Sequence, residues 1–152
     1  MDETTENRIL QKAEYIRASL VILAETRDET SFKTYQSDRR QRNIVEREFQ
    51  TSIEACLDIG SMVLRVENLT VPDTNAGVFR RLAEHGIISK ELGKQMAEAA
   101  GFRNILAHKY GDGIDDRDVF NFLQHDLSVF REYLIQIRAY LSTPDTEPEN
   151  KE

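Results

Sequence analysis

The sequence contains few of the residues that interrupt helices or cross-link small folds. Its 152 residues include three Pro, seven Gly, one Cys and no Trp. So few turn-forming residues argue against collagen-like repeats, low-complexity disorder and a β-sandwich with many tight turns. The single thiol, Cys56, has no cysteine partner within the chain, and no apolar run approaches the ~18 residues that span a membrane.

The N-terminal segment lacks the features of a secretory signal. It begins Met-Asp-Glu-Thr-Thr-Glu, with neither a basic stretch nor an apolar stretch after it. We therefore expect a cytoplasmic protein that does not associate with a membrane.

The acidic charge is concentrated at the two ends of the chain. Of the net charge of −7, residues 1–6 and residues 142–152 each carry −3, which leaves −1 for residues 7–141. The last segment also holds two of the three prolines, and we expect residues 142–152 to form a disordered acidic tail. Because the body is nearly neutral, the acidic composition does not exclude a nucleic-acid partner.

Apolar residues recur at spacings of three and four between the two ends, which is the period of an amphipathic helix. The caps of the predicted helices are Asp38, Ser89 and Asp115 at N-termini and Gly86 after a C-terminus. Residues 30–37 lack the stripe and are expected to form a linker or a short helical turn. We predict one all-α domain, residues 1–141, built as an up-and-down bundle of four long helices and a short one. The predicted helices cover residues 5–27, 38–68, 75–85, 89–109 and 115–141.

A polar segment interrupts this pattern near the end of the fourth predicted helix. It reads Phe-Arg-Asn-Ile-Leu-Ala-His-Lys-Tyr over residues 102–110 and is followed by Gly-Asp-Gly. Arginine offers a permanently charged fork to phosphate, and histidine changes protonation near neutral pH. On a regular helix Asn104 and His108 are neighbours, whereas Arg103 and His108 diverge by about 140°. A structural explanation also exists, since His108 and Lys109 near a helix C-terminus would complement the helix dipole.

The arrangement Arg-x4-His-x-Tyr resembles the signature of the HEPN superfamily, and in particular its HepT-like toxins. The resemblance extends through blocks in the same order at residues 35–47, 53–60, 79–88 and 114–115. Lys109 departs from the family, where an acidic residue is common between the His and the Tyr. This departure puts none of the catalytic roles that the resemblance implies in doubt.

The resemblance implies a metal-independent endoribonuclease toxin that leaves a 2′,3′-cyclic phosphate on its RNA substrate. Arg103 and His108 would be the catalytic residues, supported by Asn104 and Tyr110. Because one His per chain is awkward for a reaction that needs both an acid and a base, a homodimer is expected to bring two such edges into one cleft. A cognate nucleotidyltransferase (MNT) antitoxin is also implied, which would silence the toxin by AMPylating Tyr110. Whether toxin dimers assemble further with the antitoxin stays open.

The competing hypothesis is a non-catalytic HEPN module that dimerises or binds nucleotide, with the motif only shaping a partner surface. The presence of both Arg103 and His108 favours the enzyme. Since RNA affinity usually draws on clustered basic charge, the candidates for RNA contact are Arg39, Arg42, Arg47 and Lys109, although a basic run is also typical of a solvated helix face. The three His and Cys56 lack metal-ligand spacing, so we predict no metal and no cofactor.

Overall fold

The computed structural model of the protein describes residues 1–143, and that range contains only helices and connecting turns. A one-turn 3₁₀ helix, Gly111–Gly113, joins the fifth α-helix to the sixth. The prediction of an all-α bundle is confirmed. The helices are α1 (Glu3–Glu29), α2 (Phe32–Ser37), α3 (Arg39–Val66), α4 (Asn75–Glu84), α5 (Lys90–His108), α6 (Asp116–His125) and α7 (Leu127–Ser142).

Polar N-caps account for where the helices begin. The Asp38 carboxylate accepts the Gln41 backbone N–H at 3.1 Å, and the Ser89 hydroxyl accepts that of Leu92 at 3.1 Å. Asp115 accepts the N–H groups of Arg117 and Asp118 at the start of α6. Each bond satisfies a backbone donor that the first helical turn leaves without a partner, so the three predicted caps are confirmed.

Local sequence signals also account for the short helices α2 and α4. Gly86 follows α4 with φ of +71°, in the left-handed region that the prediction required. The segment without an apolar stripe contains the six-residue helix α2, which is capped by Ser31 and buries Tyr35. A short helical turn was one of the two alternatives for that segment.

The prediction of one continuous helix over residues 115–141 was wrong. The chain breaks at Asp126, whose backbone φ and ψ are −118° and 7°, so that α6 and α7 are separate helices. The apolar stripe continues through Val119, Leu123 and Leu127, all buried, which is why spacing did not reveal the break. The bend lets α6 pack against α2 while α7 packs along α1 and α5. Aspartate suits such a junction because its side chain competes with the backbone of a helix interior.

The helices share one hydrophobic core. Long helices α1 and α3 pack along each other, α4 packs closely on α5, and α7 closes the bundle against α1 and α5. On α7 the buried Tyr133 hydroxyl donates to the Cys56 carbonyl of α3 at 2.8 Å. Burial also raises the pKa of the Cys56 thiol, which makes this side chain part of the packing and a poor nucleophile.

Two predictions, the acidic tail and the domain boundary, concern the C-terminal end of the described chain. Helix α7 extends through Ser142, and residues 144–152 of the predicted acidic tail lie outside the described residues. The domain boundary at residue 141 therefore stays a prediction. Across residues 1–143, every helix is too short or too polar to cross a bilayer.

We expect Gly93→Ala to destabilise the protein by about 1–3 kcal/mol, because α4 and α5 touch at this residue. An added Cβ would lie 2.6 Å from the Cβ of Ala83, which cannot rotate away, so the helices would have to separate. Chemical unfolding measures the change. The control is Lys94→Ala at an exposed neighbouring position, which should stay within about 0.5 kcal/mol of the parent. Equal stability of the two variants would contradict the close contact.

Candidate functional site

The turn of α5 that carries the polar segment is anchored by Phe102. Its ring packs against Phe49 of α3 and Phe122 of α6, with centroid distances of 5.9 and 4.8 Å. Phe130 of α7 completes the cluster by packing on the ring of Phe122. The ring centroids of Phe49 and Phe122 are 4.9 Å apart. Because Phe102 fixes this turn against the core, the next residue lies at the boundary between the core and solvent.

That next residue, Arg103, forms an ion pair with Glu54 of α3. Its Nε and Nη2 groups donate to the same Glu54 oxygen, Oε2, at 3.2 and 2.8 Å. The side chains are 22% and 35% exposed, so the pair is only partly screened by water. Gln50, one turn earlier on α3, donates to the same oxygen at 3.3 Å. These contacts fix the edge of the guanidinium that carries Nε and Nη2.

Asn104 touches the guanidinium on its second side. Its side-chain oxygen accepts from Nη1 of Arg103 at 3.3 Å and from Nδ2 of Asn75, the first residue of α4, at 3.1 Å. A guanidinium has five N–H donors, of which three are used in these contacts with Glu54 and Asn104. One donor on Nη1 and one on Nη2 take no part in these contacts and can donate to phosphate oxygens.

His108 is the last residue of α5 and is exposed. It shares one solvent-facing side of the helix with Asn104 and Ile105, because these residues are four and three positions earlier. Ile105 is 45% exposed, an unusually large apolar exposure on a helix that otherwise packs into the core. Arg103 faces α3, so the structure brings Arg103 together with Asn104 and Glu54 and leaves His108 on the adjoining side.

Tyr110 lies in extended backbone just after the helix and is 88% exposed. The helix ends when Lys109, also in extended conformation, donates its N–H to the Ile105 carbonyl at 2.9 Å. Gly111 then adopts φ of +57°, which reverses the chain into the 3₁₀ turn without the strain that a side chain would cause. The phenol therefore projects from a tight turn into solvent.

The predicted basic residues fall into two groups. Arg39, Arg47 and Lys109 are exposed, and Arg47 precedes Glu54 by two helical turns on the same side of α3, about 10 Å away along the axis. Arg42 is held within the fold, since it donates to the Gln36 carbonyl and lies 3.9 Å from the carboxylate of Asp116. Burial, and after it the charge of Asp116, raises the pKa of the neighbouring Glu46, so Arg42 lies in a partly buried acidic setting.

Sequence reasoning missed three residues that position the guanidinium: Glu54, Gln50 and Asn75. A signal existed for Glu54, because it is a lone charge within the apolar stretch Ile-Glu-Ala-Cys-Leu of α3. Spacing on α3 then links it to Gln50, four residues earlier. Asn75 is reached only through the tertiary packing of α4 on α5. In the described range no three His, Cys, Asp or Glu side chains are grouped as ligands for a metal ion.

A compact helical bundle that presents Arg-x4-His-x-Tyr at the end of a packed helix is a domain of the HEPN type. The family model described as "Ribonuclease HepT-like" matches residues 10–137. The chain therefore belongs to the HepT-like family, and the predicted resemblance is confirmed.

Curated relatives agree with this assignment. The chain is 35% identical over 117 residues to a tRNA nuclease HepT of Aphanizomenon flos-aquae, covering 77% of this chain and 79% of the relative. It is also 28% identical over 105 residues to an mRNA nuclease HepT of Shewanella oneidensis, covering 69% and 78% of the two chains.

Solved structures share the fold. A tri-AMPylated Shewanella oneidensis HEPN toxin in complex with an MNT antitoxin superposes with a TM-score of 0.80 at 24% identity, covering 91% of this chain and 99% of that one. A toxin–antitoxin structure with AMP-PNP gives 0.81 at 24% identity, covering 88% and 98%. The Bacillus subtilis protein YutE, described as a cytosolic protein of unknown function, gives 0.78 at 17% identity, covering 93% and 95%.

Proposed function

We propose that this chain is the toxin of a toxin–antitoxin pair and acts as a metal-independent endoribonuclease through Arg103 and His108. The observation that supports the proposal is that Glu54 and Asn104 fix the Arg103 guanidinium in one orientation. Two partners fix Arg103 by three of its N–H groups, two N–H groups take no part in these contacts, and His108 ends the same helix five residues later. A preorganised cation of this kind stabilises charge that develops on a phosphate during the reaction.

The proposed reaction is an internal transfer within the RNA strand. The 2′-oxygen attacks phosphorus as a base removes its proton, and the bond from phosphorus to the 5′-oxygen breaks as an acid protonates that leaving oxygen. The products are a 2′,3′-cyclic phosphate and a 5′-hydroxyl. Histidine can serve in either step near neutral pH, and Arg103 binds the non-bridging oxygens throughout.

A homodimer supplies the acid and the base together. Each chain offers one His108, and its side of α5 exposes Asn104, Ile105 and His108 as one surface. A two-fold pairing of this surface would bury Ile105 and place His108 of one protomer beside the same cleft as the partner subunit's His108. One histidine then accepts the proton while the other donates one.

We expect a mixed population of protomers to show that the two histidines act together. When wild-type and His108→Ala chains are refolded in equal amounts, only about one dimer in four carries two His108 residues. Cleavage per total protein should then fall to about a quarter of the wild-type value with substrate in excess. A fall to one half would mean that each chain works alone. Mixing with Lys94→Ala chains should cause no such loss.

The proposed antitoxin is a minimal nucleotidyltransferase that modifies Tyr110. The Tyr110 oxygen would attack the α-phosphorus of ATP, losing its proton and releasing pyrophosphate, which leaves AMP on the phenol. Its 88% exposure on a tight turn gives another enzyme access to the hydroxyl. The attached phosphodiester would place a negative charge and a nucleoside next to the cleft that receives the RNA phosphate.

The exposed cations near the site extend the RNA surface. Arg47 lies on the same side of α3 as Glu54, and Lys109 adjoins Tyr110. Arg39 continues the basic surface at the start of α3. We assign Arg42 a smaller part in RNA contact than these three, because its guanidinium is engaged with Gln36 and Asp116. Phosphate contacts of this type contribute affinity that falls as salt rises.

Expression of the chain by itself tests the proposal in cells. We expect growth to slow and cellular RNA to be cut, while His108→Ala at the same expression level causes neither effect. Unchanged growth and intact RNA at matched protein levels would favour the non-catalytic module. Equal toxicity of His108→Ala would overturn the catalytic assignment.

A further inference from the structure

Asn104 uses its side-chain oxygen twice. The oxygen accepts from Nδ2 of Asn75 at 3.1 Å and from Nη1 of Arg103 at 3.3 Å. An amide oxygen has two lone pairs, so these two donors satisfy it, and the amide nitrogen points away from both. Asn104 is exposed and His108 lies one turn further on along α5, so the two N–H groups of Asn104 can reach a ligand bound at this surface.

The backbone around Asn75 is fixed by local contacts. It is the first residue of α4, directly after the N-cap Thr74, whose hydroxyl accepts the Gly77 N–H at 3.1 Å. A Cβ at Gly77 would lie 2.9 Å from Pro72, so the loop is closely packed against the start of the helix. Helix α4 in turn packs closely on α5. The backbone that carries Asn75 is therefore fixed by the helix cap and by the packing of α4 on α5.

We propose that Asn75 is a positioning residue that orients the Asn104 amide so that its N–H groups, together with the remaining donors of Arg103, stabilise the RNA phosphate as negative charge develops on it in the transition state. This proposal rests on the proposed ribonuclease function. Glu54 holds the guanidinium on one edge, and the Asn75–Asn104 pair holds it on the other. Without the Asn75 donor, the Asn104 amide can turn over and present its oxygen, which repels phosphate instead of binding it.

Kinetics of two Asn75 variants test the role. Asn75→Ala should lower kcat roughly 3- to 10-fold with little change in KM, the size expected from one neutral hydrogen bond. Asn75→Asp has the same shape but offers only acceptors, so it should turn the Asn104 amide and lower kcat further. Aspartate also suits a helix N-terminus, so this variant should keep its fold. Melting temperatures within a few degrees of wild type confirm that the fold is intact.

A double-mutant cycle separates positioning from a general structural effect. In an Asn104→Ala background, Asn75→Ala should cause no further loss of kcat, because the group that it orients is gone. An equal loss in both backgrounds would show that Asn75 acts by another route. Wild-type kcat in both Asn75 variants would overturn the proposal outright.

Side-chain amide resonances provide a readout that does not need cleavage. In ¹⁵N-labelled protein, Asn75→Ala should shift the Asn104 side-chain N–H signals and the Arg103 Nε–H signal. Titration with a 2′-O-methyl RNA oligonucleotide should shift the Asn104 N–H signals in wild type and less so in Asn75→Ala. Unchanged Asn104 signals in both experiments would overturn the positioning role. If these shifts occur but wild type cuts no RNA, the ribonuclease function fails while the orienting contact stands.

Discussion

His108→Ala and Arg103→Ala should each lower the rate constant of RNA cleavage by about 10²- to 10⁴-fold, the range expected for a general acid or base. His108 is the one ionisable side chain of the exposed surface that it forms with Asn104 and Ile105, and histidine is the side chain most often used in general acid–base catalysis. In the proposed mechanism, Arg103 supplies the charge and the fork that bind the phosphate. Single-turnover cleavage of a labelled RNA measures both effects.

The controls for this prediction are matched to the two side chains. His125→Ala removes an exposed histidine from the end of another helix, α6, and should leave cleavage unchanged. Arg103→Lys keeps a positive charge but loses the fork, so we expect it to stay impaired. Arg103→Ala also leaves Glu54 without its ion-pair partner, and unfolding measurements must show how much protein stays folded. Full activity of His108→Ala would show that another residue transfers the protons.

Modification of Tyr110 by AMP should silence the nuclease by roughly 10- to 1000-fold. Two like charges a few ångströms apart repel by about 1–4 kcal/mol, depending on how much water screens them, and we expect a repulsion of this size between the attached AMP and the RNA phosphate. The test is co-expression with an MNT antitoxin, followed by intact-mass analysis and a cleavage assay of the purified toxin. The mass should rise by whole AMP units as cleavage is lost.

Tyrosine variants identify the modified residue. Tyr110→Phe should show no mass increase after co-expression and should escape silencing by modification. Tyr15→Phe is the matched control. Tyr15 is likewise an exposed tyrosine, at 46%, but it lies on α1, so its loss should not affect the modification. A mass increase that persists in Tyr110→Phe would assign the modification to another residue.

Most helix boundaries could be predicted because they are decided locally. Asp38, Ser89 and Asp115 cap helices through bonds to backbone within three residues, and Gly86 accepts a positive φ that other residues avoid. The break at Asp126 could not be predicted from spacing, since the apolar stripe continues through it. Its cause is tertiary, because α6 turns to cover α2 and to place Phe122 beside Phe102.

The motif residues could be selected from the sequence, but the contacts that position them could not. A resemblance pointed to Arg103, Asn104, His108 and Tyr110, all on or just after one helix. Glu54 is 49 residues away from Arg103 in the chain, and Asn75 is 29 residues away from Asn104. Such contacts depend on how α3 and α4 pack against α5, which no local pattern specifies. Arg42 shows the reverse case, since an exposed cation was expected and the fold pairs it with Asp116.

The central claim is that the cleft beside Arg103 and His108 cuts RNA without a metal ion. The most direct measurement is cleavage of a defined RNA by the purified wild-type protein in excess EDTA, with analysis of the new ends. We expect 2′,3′-cyclic phosphate and 5′-hydroxyl ends at an undiminished rate, and no such products with His108→Ala. Absence of cleavage, loss of cleavage in EDTA, or equal cleavage by His108→Ala would contradict the account.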